Sequence, residues 1–154
     1  AQSLREKLAG LGRVEQHRAA VQWAKDNNCV IDMFGEFAKQ KHLLLFQSGN
    51  ECENWIDTSA NLVYKMNMLV HVGEDILKLF ERIDLYNELF PDMALHFVGL
   101  HIAGVANAYP VFTQPFVDGA RFATESEIYA IYADAWICAC RGRWCILQWL
   151  DSIT

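Results

Sequence analysis

A glycine in a turn, a lysine on the strand after it and a glutamate on the following helix could together hold a nucleotide phosphate. The apolar run at residues 43–46 enters a turn at Ser48-Gly49-Asn50, followed by Glu51. The chain turns again at Asp57-Thr58-Ser59-Ala60-Asn61 and re-enters a β-type run, Leu62-Val63-Tyr64, with Lys65 directly after it. A glycine lets the backbone come close to a phosphate, and a lysine on a rigid element supplies a point charge. Lys65 needs an anion to hold it, and Glu81, mid-way along the next helical stretch, is the natural partner. Glu74 and Glu88 stand seven residues to either side, about two turns, on roughly the same face. The plainer reading is a β-meander with a chance lysine, beside a helix whose glutamates face solvent.

The elements that must position these residues follow from periodicity. Leu4, Leu8, Leu11, Val14, Ala20, Val21 and Ala24 recur at helical spacing. Gly10 and Gly12 split that stretch into a short piece and a longer one from about Arg13, which Asn27-Asn28 ends. Residues 43–46 and 62–66 read as strands, and residues 50–56 pair between them. Residues 72–90 read as a long helix with a stripe of Ile76, Leu77, Phe80, Ile83, Leu85 and Leu89, closed by Pro91. Residues 95–101 and 109–116 are strands around a turn at 104–107, and Pro115 marks where the second ends or loses its partner. Thr124-Glu125-Ser126-Glu127 is a capping box for a helix to about Trp136. An antiparallel sheet interrupted by one helix is an α+β pattern. The expected divisions are a leading helical segment at 1–40, a sheet-bearing segment at 41–120, and a trailing helix and tail at 121–154, together one unit.

Composition narrows the function classes. The 154 residues are 53% hydrophobic and 21% charged, enough for a packed core. A net charge of −6 argues against nucleic acid as a partner. No apolar run approaches the roughly 20 residues that span a bilayer, and no signal-peptide pattern opens the chain. A cytoplasmic location with reduced thiols is therefore expected, since five scattered cysteines make no disulfide framework. Cys138-Ala139-Cys140 with Cys145 lacks the usual C-x2-C spacing of a zinc site, and the five histidines are dispersed, so no metal is expected.

The order of these features resembles the small, ATP-binding lobe of protein kinases. It is most similar to the kinase-like domains of the long multi-domain polyvalent proteins of phages and other bacterial mobile elements. The residues that carry the resemblance are Gly49-Asn50-Glu51, Val63-Tyr64-Lys65-Met66-Asn67 and Glu81-Arg82-Ile83. They continue through Tyr86-Asn87-Glu88-Leu89-Phe90-Pro91, Val98-Gly99, Gln114-Pro115-Phe116-Val117 and Arg121-Phe122-Ala123-Thr124. Together they cover about residues 20 to 135. The resemblance implies ATP as ligand. Residues 49–55 would close over its phosphates, and Lys65 would contact them while paired with Glu81. Residues 114–117, with Gln114 and Phe116, would form a hinge whose main chain meets the adenine edge, with Thr113 at the back of the purine pocket.

The departures limit that reading. There is one glycine in the loop where kinases usually carry three. No H-R-D-type segment and no D-F-G-type aspartate is recognisable, so no catalytic residue is assigned, and Mg2+ is not expected to be held by this chain alone. The expectation is a nucleotide-binding lobe without autonomous catalysis. A non-enzymatic interaction module of adaptor or immunity type on the same scaffold is the alternative, and an unrelated α+β domain stays open. The Trp- and Cys-rich tail (Trp136, Trp144, Ile146, Leu147, Trp149, Leu150) is the expected surface for a protein partner or for self-association.

Overall fold

The computed structural model describes residues 1–48 and 51–117, together with Ser126. The chain divides into two units, Ala1–Phe116 and Val117–Thr154. The helix expected from Thr124 and the tail at 137–154 lie outside the described residues, apart from Ser126, which is helical. The first unit is α+β, as the periodicity predicts.

Two helices lead. In α1 (Gln2–Leu8), Leu4 and Leu8 lie one turn apart on one face and are both fully buried. Gly10, at φ +76°, makes the left-handed break before α2 (Arg13–Asp26). A short helix α3 (Glu36–Gln40) precedes β1 (Leu44–Ser48), β2 (Cys52–Asp57) and β3 (Leu62–Asn67), which form an antiparallel meander. The chain then crosses one face of the sheet through a 3-10 turn at Val70–Val72 and helix α4 (Ile76–Leu89). A second 3-10 turn, Pro91–Met93, leads into the hairpin β4 (His96–Ala103) and β5 (Asn107–Pro115). The sheet order is β1-β2-β3-β5-β4, antiparallel throughout.

The long helix starts four residues later than the apolar pattern suggests. Leu69, Gly73 and Glu74 all take left-handed backbone conformations, which no helix continues through. Asp75 then caps α4, its side chain accepting from Lys78 N–H at 3.0 Å. A second cap comes from α2. Gln16 Oε1 accepts from Ile76 N–H (3.0 Å) and Leu77 N–H (3.3 Å). Its neighbour His17 accepts at Nδ1 from Ala108 N–H of β5 (3.1 Å), which leaves Nε2 to donate to Glu74 O (3.1 Å). Two adjacent α2 residues thus tie the start of α4 to the sheet.

One core fills the face beneath α1, α2 and α4, with Phe80, Leu79, Leu100, Ala108 and Phe112 at its centre. Phe80 meets Phe97 at 5.2 Å and Phe112 at 5.9 Å between ring centroids, both edge-on. A second core on the opposite face gathers Ile31, Met33, Trp55, Tyr64, Met66 and Val111. The segment at 29–31 runs along β4: Ile31 N–H donates to Leu100 O and Leu100 N–H to Cys29 O, both at 2.9 Å. Gly99, beside a β-bulge, permits that approach, because a β-carbon there would strike the Cys29 carbonyl oxygen and the Ile31 side chain. Among the described residues, no helix is long and apolar enough to cross a membrane.

Candidate functional site

Alternation along the strands decides what shares a face with Lys65. Residues Tyr64 and Met66 point into the second core, so Val63, Lys65 and Asn67 face the α4 side. Pairing extends this face across the sheet. Lys65 stands between Asn54 of β2 and Phe112 of β5. One row on, Leu44, Ile56, Val63 and Gln114 line up from β1 to β5. On the other side, Cys52 stands opposite Asn67. The result is an apolar row next to a lysine, with a side-chain amide at the end of the first row and another beside the lysine.

Lys65 is half-buried, and that burial pushes its pKa down, partly offset by the nearby Cys52 thiol. Burial in turn pushes the Cys52 thiol up to about 11, with Glu51 adding to the shift. Asn67 Nδ2 donates to Cys52 Sγ at 3.4 Å. Two amide oxygens on this face, Asn54 Oδ1 and Gln114 Oε1, are buried without a hydrogen-bond partner. Gln114 as a whole is only 8% exposed. Buried acceptors are normally satisfied, and an orphan costs about 1–3 kcal/mol.

The expected site residues are partly brought together. Gly49 and Asn50 lie outside the described residues. Glu51 is half-exposed and stands 3.9 Å from His71 Nε2. Lys65 and Gln114 share one face. Among the described residues no ion pair joins Lys65 to Glu81; Glu81 acts instead on Arg5, whose positive charge it favours. The reason is the α1 contact: Arg5 lies 4.9 Å over the Phe80 ring and grips Asp84, donating to Oδ1 at 2.6 Å and also to Oδ2. This pair holds the Asp84 carboxyl below its ordinary range.

The stretch expected to act as a hinge also differs in detail. Phe116 N–H donates to Asn61 O at 3.0 Å, and Asn61 Nδ2 donates to Phe116 O at 3.5 Å, so the main chain of Phe116 is already engaged. That bond makes Asn61 and Phe116 a hydrogen-bonded pair, and by alternation Val63 and Gln114 are the next. Pro115 falls between, where no N–H toward β3 is needed, which is why it does not break this ladder. Thr113 lies opposite Tyr64, on the other face of the sheet from Lys65. Gln114, not Thr113, therefore borders the Lys65 face, because β5 alternates with period two. Asn54, Leu44 and Ile56 were missed from sequence; only the strand register reveals them.

Among the described residues, no three His, Cys, Asp or Glu side chains cluster to hold a metal ion. The cysteine group at 138–145 lies outside those residues. Residues 13–134 match the family of serine/threonine/tyrosine kinases found in polyvalent proteins. The chain belongs to that family. No curated protein and no solved structure matches it. The kinase-family stretch takes in α2, the whole sheet and α4, while α1 precedes it and completes the core through Leu4 and Leu8.

Proposed function

We propose that this kinase-family domain binds a purine nucleotide, ATP by its family, on the Lys65 face of the sheet. The observation that carries the reading is a half-buried ammonium with no carboxylate paired to it among the described residues, set beside an apolar row. An uncompensated buried charge is costly, and a phosphate would compensate it. The row Leu44, Ile56 and Val63 offers a flat surface for a ring, and Gln114 Oε1 at its end is an acceptor in want of a donor. Beyond the last β4 pair, His96 with Thr113, the Pro115 carbonyl is a second acceptor on the β5 edge.

The proposal is confined to nucleotide binding. Phosphoryl transfer needs carboxylates for Mg2+ and a group that orients the nucleophile, and these 154 residues contain no recognisable segment of either kind. The test is calorimetric titration with a non-hydrolysable ATP analogue, with and without Mg2+, on the chain and on Lys65→Ala. Binding at micromolar to low-millimolar concentration, lost in the variant, supports the reading. Absence of heat at millimolar nucleotide refutes it. The second reading, an interaction module on the same scaffold, would then stand, and the unpaired Lys65 and Glu81 together with the engaged Phe116 main chain favour it.

A further inference from the structure

From Thr113 to Phe116 the main chain has no N–H left for a base. By strand alternation Thr113 directs its N–H at β4, where it is paired with His96, and Gln114 directs its own at Val63 of β3. Pro115 has no N–H. Phe116 N–H donates to Asn61 O at 3.0 Å. The Gln114 side chain does have a free group. It is 8% exposed, yet its Oε1 has no donor among the described residues. Alternation puts it on the Lys65 face, at the end of the apolar row Leu44, Ile56 and Val63.

We propose that the Gln114 side-chain amide, in place of the main chain, reads the base of the nucleotide, with Oε1 accepting from the exocyclic amine of adenine. This reading of the base rests on nucleotide binding at the Lys65 face. Lys65 pairs with Phe112, so Lys65 and Gln114 are diagonal neighbours, about 7–8 Å apart at the backbone. One nucleotide can therefore meet the ammonium with a phosphate and the amide with its base. A turn about the terminal amide torsion, which is soft, aims Oε1 at the ligand. Binding then gives a buried, unpaired acceptor its donor, which a base without an amine cannot do. The amide N–H beside it can donate to a ring nitrogen of the same base, the two-bond match of glutamine to adenine.

The test is calorimetric titration of the full chain with ATP and with purine riboside 5′-triphosphate, which is ATP without the exocyclic amine. The expected result is ATP binding about 5- to 150-fold tighter, the effect of satisfying one buried acceptor. In Gln114→Met, which keeps the length of the side chain and removes the amide, the two triphosphates should bind within about twofold of each other. The comparison on the unaltered chain needs no variant, so it stands even if Gln114→Met disturbs folding. Equal affinities on the unaltered chain overturn the role of Gln114 and leave nucleotide binding standing. A preference for ATP that persists in Gln114→Met also overturns it, since another group would then be reading the amine. If neither triphosphate binds at millimolar concentration, nucleotide binding itself fails and the role of Gln114 with it.

Discussion

Replacing Lys65 by methionine separates a functional ammonium from a structural one. The methionine keeps most of the aliphatic stem and removes only the charge. Burial lowers the Lys65 pKa below its ordinary 10.5, so between the folded value and 10.5 the unfolded chain binds a proton that the folded one has released. Stability therefore rises with pH through that window, and at neutral pH the folded chain carries the full cost of the buried charge. With the group half-exposed, solvent screens much of that cost, and about 1 kcal/mol is a fair figure. For a chain of this size Lys65→Met should raise Tm by about 2–4 °C at pH 7.5. The gain should shrink toward pH 10.5, where the wild-type lysine is also losing its charge. The same substitution should weaken an ATP analogue about 10- to 150-fold, the loss of one charged hydrogen bond to phosphate. Thermal unfolding by circular dichroism at pH 7.5 and 10, beside calorimetry, reads both effects. A Met variant less stable than wild type by 1 kcal/mol or more, as order of magnitude, would refute the reasoning, since the ammonium would then be making stabilising contacts.

Three other substitutions test the frame. Gly99→Ala places a methyl against the Cys29 carbonyl and Ile31, and should cost about 1–3 kcal/mol, read as a lower denaturant midpoint with unchanged slope. Gln16→Ala strips the acceptor from Ile76 and Leu77 N–H and should cost about 1–2 kcal/mol, with amide exchange in the first turn of α4 accelerating before the rest of the chain. Uniform acceleration would show that Gln16 does not act as the α4 cap. With its thiol pushed to about 11 against an ordinary 9.0, Cys52 should alkylate about 100-fold more slowly at pH 8 than an unperturbed cysteine, by peptide mass spectrometry. Lys65→Met should slow it further, because the ammonium favours the thiolate.

The elements that sequence reveals are those whose signal is local. The break between α1 and α2 needed only Gly10 and Gly12, and most of the strands needed only short apolar runs with turns between them. The start of α4 was misread for the same reason. Val72 continues the apolar pattern, but Leu69 and Glu74 sit in left-handed conformations that no pattern of hydrophobicity encodes. The Leu69 turn is held by Asn67 Oδ1 accepting from Leu69 N–H at 2.8 Å, and α4 is positioned by Gln16, sixty residues earlier. Those are long-range or side-chain-specific terms.

The site divides along the same line. Lys65 was legible because it follows a glycine turn and a β-type run, and Gln114 only through the resemblance to the kinase hinge. Their shared face was not legible, since it depends on the β3–β5 register, and one residue of slip would have put Thr113 there instead. Glu81 illustrates the converse. Its spacing from Lys65 fits a pair, but spacing along a helix says nothing about how that helix is rotated on its sheet. Rotation is set by what is buried, and here Phe80 goes inward against Phe97 and Phe112 while Arg5 takes Asp84. With residue 80 inward, residue 81 is turned about 100° around the helix axis. The carboxylate that sequence assigns to Lys65 is thereby left exposed, near an arginine from outside the family-matched stretch. A pairing inferred from spacing alone holds only when the apolar stripe of the helix points the same residue at the sheet.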